Sequence, residues 1–227
     1  MYFSDEDYTI FTKANALKKD SALQNKRKAL QNKMIRLHEM IYHDVQALGL
    51  DCHDSKAKIT SSITPDRYRG DYHTWILVRY GKCPEEYEGL DHGFTKHSNI
   101  QFVVDEKGFE VQLFLGNDKY YDFLNIRKAV AEYRDIIEEE IKKLYDLGWI
   151  WCFYDEPDPF RYDISADGSF CDWLLRNINR GGDAYITYSY GKHDERLSEN
   201  NITGTVLSDI KLLVRLYNAL TRRKKYL

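Results

Sequence analysis

A polar turn between two strand-like segments is the feature that most constrains the fold of this 227-residue chain. From Asn99 to Leu115 the sequence reads NIQFVVDEKGFEVQLFL, with β-branched and aromatic residues on both sides of Asp105-Glu106-Lys107-Gly108. Polar turn residues with a glycine, placed between alternating segments, are typical of a β-hairpin. The segment therefore predicts antiparallel sheet in the middle of the chain.

Helical and strand-like patterns lie on both sides of this hairpin. Ser4 precedes three acidic residues, which predicts a short first helix with Ser4 as its N-cap. Apolar residues at three- and four-residue spacing predict longer helices over about 21–48, 121–147 and 206–222, with a short one near 170–178. Further strands are predicted over 73–80, 149–154 and 183–190, and an irregular polar segment over 50–70. Together these elements predict an α+β fold, in which a mainly antiparallel sheet of about five strands packs with long α-helices.

The chain carries no sign of a linker. It has only four prolines and no Gly/Ser-rich or low-complexity stretch. We therefore expect a single domain over residues 1–227, and a subdivision, if there is one, near 117–120.

The composition favours the cytoplasm. The first residues, MYFSDEDYTIF, are acidic where a secretory signal is basic, and no apolar run reaches the ~20 residues that cross a bilayer. The four cysteines are scattered without a CxxC pair, which indicates free thiols. These features predict a cytoplasmic protein that has no membrane partner.

A family resemblance rests on short motifs in the first half. The chain opens with Phe3-Ser4-Asp5-Glu6-Asp7-Tyr8-Thr9-Ile10-Phe11, and later has His73-Thr74-Trp75 at the start of a strand, then Gly81-Lys82, then His97 before the hairpin. Over residues 3–116 this layout resembles the YktB-like proteins, whose strand opens with Asp-Thr-Trp rather than His-Thr-Trp. The resemblance implies an α+β sandwich and no activity, because that family has no established function.

Two surfaces are candidates for binding. The net charge is -3, yet residues 18–36 hold seven basic side chains against Asp20 alone, which suits either phosphate contacts or a solvated helix face. Strand alternation places Trp75 with Arg79, and Gln112 with Glu110 and Phe114, while Gln101 lies on the polar side of its own strand. If these faces coincide, the sheet presents a surface able to stack and hydrogen-bond a base or a peptide; otherwise helices cover both faces. The candidate binding residues are Lys26, Arg27, Lys33, Arg36, Trp75, Arg79, His97, Gln101 and Gln112.

Two further chemistries have partial sequence support. Asp66 followed by Asp105 or Glu110 and Lys107 superficially fits a Mg²⁺-dependent nuclease of the PD-(D/E)xK type, although 105–108 is also a good turn. The run Asp51-Cys52-His53-Asp54, with His92 and His97 later, contains metal-ligand types, although a surface loop explains it as well.

The sequence shows no recognisable catalytic motif and gives no reason to expect a cofactor, except Mg²⁺ for a nuclease. The hypothesis we favour is a non-catalytic cytoplasmic binding or regulatory protein that engages nucleic acid or a protein partner. A nuclease and an oligomeric assembly component with a tyrosine-rich interface are the alternatives, since the chain has 18 tyrosines. This composition also suits phage or bacterial defence proteins.

Overall fold

A computed structural model of the protein describes residues 1–16, 20–52, 60–65, 72–83, 86, 96–117, 119–154, 160–179 and 182–227. Its helices are α1 (Asp5–Thr9), α2 (Lys13–Ala16), α3 (Ser21–Ala47), α4 (Tyr121–Leu124), α5 (Ile126–Asp146), α6 (Ile164–Asp167), α7 (Phe170–Asn177) and α8 (Ile202–Leu220), with 3₁₀ turns at Glu195–Leu197 and Lys224–Tyr226. Its strands are β1 (Asp51–Cys52), β2 (Thr60–Pro65), β3 (Tyr72–Gly81), β4 (Asn99–Asp105), β5 (Phe109–Gly116), β6 (Ile150–Tyr154), β7 (Phe160–Arg161) and β8 (Asp183–Tyr190).

All the strands belong to one antiparallel sheet. Seven of them lie side by side in the order β1-β3-β4-β5-β8-β6-β7, and β2 also pairs with β3. The α+β prediction is confirmed, but the predicted count of about five strands is too low. The short strands β1 and β7 and the Ser/Thr-rich β2 were missed because two-residue and polar strands carry too little alternation to be recognised.

The central hairpin forms as predicted, and its turn residues explain why. The Asp105 carboxylate accepts hydrogen bonds from the backbone N–H groups of Lys107 at 2.7 Å and Gly108 at 3.1 Å. A Cβ atom at Gly108 would lie 2.4 Å from the carbonyl oxygen of Tyr190, so the approach of β8 to this turn requires glycine.

The helices begin and end close to the predicted positions. Ser4 is the N-cap of α1, and its backbone N–H donates to the Asp7 carboxylate at 2.7 Å. The predicted helix over 121–147 is divided at Asn125 into α4 and α5, and Tyr133 has non-helical dihedral angles inside α5. Helix α8 starts at Ile202, four residues before the predicted start.

One hydrophobic core lies between the helices and a single face of the sheet. On β3, β4 and β5 it takes alternate residues, among them Val78, Phe102 and Val111, and it joins them to apolar residues of α3, α5, α7 and α8. Aromatic rings pack against each other within this core, with ring centroids 5.6 Å apart for Phe3 and Phe109 and 4.6 Å apart for Trp151 and Phe170. The four cysteines are thiols that form no disulfide within the described part of the chain.

The first turn of α7 depends on a carboxylate from another helix. Glu138 of α5 accepts hydrogen bonds from the Ser169 hydroxyl at 2.5 Å and from the backbone N–H groups of Cys171 at 2.9 Å and Phe170 at 3.1 Å. These N–H groups belong to the unpaired donors at the start of a helix, and an anion there also suits the helix dipole.

Replacing Glu138 by alanine is therefore expected to lower the free energy of unfolding by about 1–3 kcal/mol, since it leaves partly buried donors without an acceptor. Urea denaturation followed by circular dichroism measures the change. Glu139→Ala is the matched control, because Glu139 is exposed and its ion-pair partners among the described residues, Lys143 and Arg215, are exposed as well. We therefore expect a clearly smaller change than in Glu138→Ala. Equal losses in the two variants would contradict this role of Glu138.

Candidate functional site

The two faces of the sheet differ in chemistry. Across β3, β4, β5 and β8 one face carries the apolar residues of the core, and strand register fixes which residues share the other face. The register pairs Arg79 with Gln101, Gln101 with Gln112, and Gln112 with Thr187. The next rows on this face pair Val103 with Glu110 and Glu110 with Ser189, and Phe114 with Tyr185. The polar side chains predicted from alternation therefore do lie on one face.

These polar side chains form a connected row. The Gln101 amide donates to the side-chain oxygen of Gln112 at 2.7 Å, and the Gln112 amide donates to the Glu110 carboxylate at 2.5 Å. The Ser189 hydroxyl donates to the other Glu110 oxygen at 2.9 Å. Each member orients the next one, so that the row is held across β4, β5 and β8.

Burial limits which part of this face can touch a ligand. Gln101 is 7% exposed, Leu77 6% and Val103 7%, so the middle of the β3–β4 half offers little surface to a ligand. The half built from β5, β8 and β6 is partly exposed, and Ile150 reaches 37%. We call this half the open sheet face, and it consists of Glu110, Gln112, Phe114, Ile150, Tyr185 and Ser189.

Aromatic residues stand beside the polar row. Phe114 and Tyr185 are cross-strand neighbours, and both are partly exposed. Tyr120 packs against Phe114 with ring centroids 5.3 Å apart, which fixes the orientation of the Phe114 ring. The Cys152 thiol lies in the same row, but burial raises its pKa to about 11, so it is protonated and unreactive at neutral pH.

The predicted binding residues fall into three groups. Gln112 belongs to the open sheet face, and the buried Gln101 donates a hydrogen bond to it. Trp75 and Arg79 are half-buried on the same side of the sheet, on strand β3. The other predicted residues lie elsewhere: His97 in a buried ion cluster, and Lys26, Arg27, Lys33 and Arg36 on α3.

The basic helix and the open sheet face do not form one surface. Helix α3 packs on the apolar side of the sheet, where His38 hydrogen-bonds to the Tyr80 hydroxyl at 2.8 Å. Part of its charge is also matched internally, because Lys33 pairs with Asp7 at 2.6 Å and Lys26 approaches Glu6 at 3.7 Å. Arg27 donates to the backbone oxygen of Asn15, whereas Arg36 is exposed.

His97 takes part in a buried cluster at the start of β4. Its Nδ1 lies 3.0 Å from the carboxylate of Asp122, which also accepts from the Lys82 ammonium at 2.7 Å and from the Ser98 backbone N–H at 3.0 Å. His97 is fully buried, as is Asp122 apart from 3% of its surface. This cluster joins the end of β3, the start of β4 and helix α4, and we interpret it as structural.

The nuclease residues do not converge among the residues that the structure describes. The Asp105 carboxylate caps the hairpin turn, Lys107 is exposed at the tip of that turn, and Glu110 lies within the polar row. Asp66 lies outside the described residues, as do His53, Asp54 and His92 of the predicted metal set. Within the described part of the chain, no group of three His, Cys, Asp or Glu side chains is arranged to hold a metal ion.

The open sheet face contains residues that sequence reasoning considered only in passing or missed. Glu110 was placed on the polar face of the hairpin but was not chosen as a binding residue, and Tyr185, Ser189 and Ile150 were not chosen at all. The alternation in DAYITYSY contained the signal for Tyr185 and Ser189, but the neighbour of β8 in the sheet could not be known from it.

None of the described helices is both long enough and apolar enough to cross a lipid bilayer. Comparison of the chain with protein-family models gave no match, and comparison with curated proteins gave none either.

Proposed function

We propose that this chain is a non-catalytic cytoplasmic binding protein whose ligand contacts the open sheet face, and that this ligand is single-stranded nucleic acid. The observation that carries the proposal is the oriented row of Gln112, Glu110 and Ser189 beside two partly exposed aromatic rings. Amide and carboxylate groups recognise the edges of bases, and aromatic rings stack on their faces. A row that is already hydrogen-bonded also loses little side-chain freedom on binding.

The charge of this face shapes the kind of contact that we expect. Glu110 is an acceptor in the centre of the row, so it suits the amino and imino donors of bases rather than phosphate oxygens. The exposed Arg161 of β7 lies in the same row of the sheet as Phe114 and Tyr185, where it can contact the backbone of a bound strand. We therefore expect base stacking to contribute more than counterion release, and affinity to depend weakly on salt.

Replacing Phe114 by alanine is expected to weaken binding of a fluorescein-labelled 12-nucleotide RNA by roughly 5- to 150-fold, the range for one lost base stack. Fluorescence anisotropy across a salt series measures the affinity and its salt slope for RNA and DNA, single- and double-stranded. Circular dichroism confirms that the variant is folded.

The matched control is the double variant Lys28→Gln, Arg36→Gln, which removes two exposed charges from α3 on the other side of the sheet. The proposal requires this variant to bind as the wild type does. If the α3 variant loses binding and flattens the salt slope while Phe114→Ala does not, the basic helix and not the sheet is the contact surface.

A protein ligand is the second candidate, and the exposed apolar residues at the edge of the open sheet face favour it. Ile150 on this face is 37% exposed, and Leu147 before β6 is 54% exposed. Apolar side chains next to a polar row are also typical of protein interfaces. A self-associating chain would show a mass above 26.9 kDa in light scattering at micromolar concentration, and Ile150→Lys would return it to the monomer.

A further inference from the structure

A shallow polar cleft lies on the helix side of the molecule, at the end of β8. It has a volume of about 490 Å³ and is bounded by Tyr190, by Arg196 of the following 3₁₀ turn, and by the first turns of α8. Asn200, Ser208 and Asp209 provide polar groups along its walls. At Gly204, in the same wall, nothing beyond its chain neighbours and the nearby backbone of α8 lies within 4 Å of the position that a Cβ would occupy, so the cleft is open at this point.

The group in this cleft that most needs an explanation is the carboxylate of Asp209. Its residue is only 8% exposed, and the hydroxyl of Tyr190 donates to one of its oxygens at 2.5 Å. Of the residues that the structure describes, none brings a cationic group within 4 Å of it. A carboxylate removed from water without a positive partner is costly, so natural proteins keep one mainly where it serves a function.

The nearest cation, Arg196, is already paired with other groups. Its Nε and Nη2 donate to the Asp194 carboxylate at 2.9 and 2.7 Å, and its Nη1 and Nη2 lie 3.2 Å from the Tyr188 hydroxyl. Its guanidinium also lies 4.6 Å from the centre of the Tyr190 ring. These contacts hold Arg196 as one wall of the cleft and direct its donors to Asp194 and Tyr188 rather than to Asp209.

The charge around the cleft is negative. Residues 190–209 contain two basic side chains (Lys192 and Arg196) and four acidic ones (Asp194, Glu195, Glu199 and Asp209), a net charge of -2 with His193 neutral. Such a surface raises the local concentration of cations.

We propose that this cleft binds a small primary amine, whose ammonium group pairs with Asp209. An ammonium group offers three donors and no acceptor. The cleft offers the matching acceptors, namely the Asp209 carboxylate, the Ser208 hydroxyl and the side-chain oxygen of Asn200. The space beside Gly204 gives room for the methylene chain of the amine. This site is independent of the open sheet face, because Tyr190 lies on the side of the sheet that faces the helices.

Isothermal titration of the full chain with 1,4-diaminobutane at pH 7.5 tests the proposal. We expect saturable binding by the wild type and at least a tenfold loss of affinity in Asp209→Asn, which keeps the shape of the side chain and removes its charge. Gly204→Leu, which fills the cleft without changing any charge, is expected to abolish binding. Glu199→Gln has the same charge change as Asp209→Asn but lies outside the cleft, and it is expected to bind as the wild type does.

The neutral analogue 1,4-butanediol separates ammonium recognition from general occupancy of the cleft. The proposal is overturned if the wild type shows no saturable binding of the diamine up to about 10 mM. A dissociation constant of that size corresponds to a binding free energy of only about 3 kcal/mol. It is also overturned if the diol binds as well as the diamine, or if Asp209→Asn and Glu199→Gln lose the same amount of affinity.

Discussion

Asp122→Ala is expected to lower the free energy of unfolding by about 3–5 kcal/mol at neutral pH, the largest loss that we expect from a single polar side chain of this protein. The carboxylate of Asp122 is the common acceptor for Lys82, His97 and the Ser98 backbone N–H. Its removal leaves the ammonium group of Lys82 in a site that is only 9% exposed, without the carboxylate with which it forms an ion pair. Chemical denaturation at pH 7 measures the loss.

The pH dependence of this loss identifies its cause. Burial raises the pKa of Asp122, but the hydrogen bond from His97 and the charge of Lys82 outweigh burial and bring the pKa below its usual value. A lowered pKa in the folded state contributes stability above the pKa of the unfolded state, near 4, and this contribution is lost as the pH falls further. We therefore expect the difference between wild type and Asp122→Ala to be smaller at pH 3 than at pH 7.

Asp172→Ala is the matched control, because Asp172 also pairs with a cation, Arg134, at 2.7 Å but is about half exposed. Solvent screens an exposed ion pair, so this variant is expected to remain close to the wild type in stability. Two results would contradict the interpretation of the cluster as a structural ion network. One is a loss of unfolding free energy in Asp122→Ala that is no larger than the loss in Asp172→Ala. The other is a loss in Asp122→Ala that stays constant from pH 3 to pH 7.

Features set by residues that are close in the sequence could be predicted, and contacts between distant strands could not. The Asp105–Gly108 turn is set by neighbouring residues, so the hairpin was predicted correctly. The alternation around Gln101 and Gln112 is also local, but by itself it left open whether the polar residues of different strands share one exposed face. The pairing of β5 with β8 joins residues that are 68 to 81 positions apart, and no local pattern showed that Ser189 would meet Glu110, which is 79 residues away.

The functional role of charged residues was harder to predict for the same reason. From the sequence, Lys33 was a candidate phosphate contact. In the structure its ammonium group pairs with Asp7 of α1, which is 26 residues away in the sequence. His97 was likewise a candidate binding residue, but in the structure it is buried in a cluster with Asp122 and Lys82. Asp209 is a single acidic residue between Ser208 and Ile210 of α8, and only the tertiary structure shows that its carboxylate is buried.

Asp209→Asn is expected to have the opposite effect to Asp122→Ala and to stabilise the protein at neutral and alkaline pH. Burial raises the pKa of Asp209 from its ordinary value near 3.8 to about 6, and the Tyr190 hydrogen bond and the charge of Arg196 offset burial only in part. A shift of this size corresponds to about 2–3 kcal/mol of destabilisation when the group is ionised. The neutral amide of asparagine does not carry this cost.

The sign follows from proton linkage. Because the pKa is raised in the folded state, the protonated group favours folding below about pH 4, and this contribution is lost as the pH rises through about 6. Asp209→Asn should thus be about 1–3 kcal/mol more stable than the wild type at pH 8, with the advantage disappearing near pH 4. Urea denaturation at both pH values measures this. An advantage that does not change with pH, or a variant less stable than the wild type at pH 8, would show that the folded protein already compensates the charge.

Stability and binding are expected to change in opposite directions at this position. If Asp209 is kept to bind an ammonium group, 1,4-diaminobutane should raise the unfolding midpoint of the wild type at pH 8, because a ligand of the folded state stabilises it by mass action. The same concentration should leave the midpoint of Asp209→Asn unchanged, although that variant is more stable without the ligand. If Asp209→Asn is more stable than the wild type and the diamine still raises its unfolding midpoint as much as that of the wild type, then Asp209 destabilises the protein without a role in amine binding.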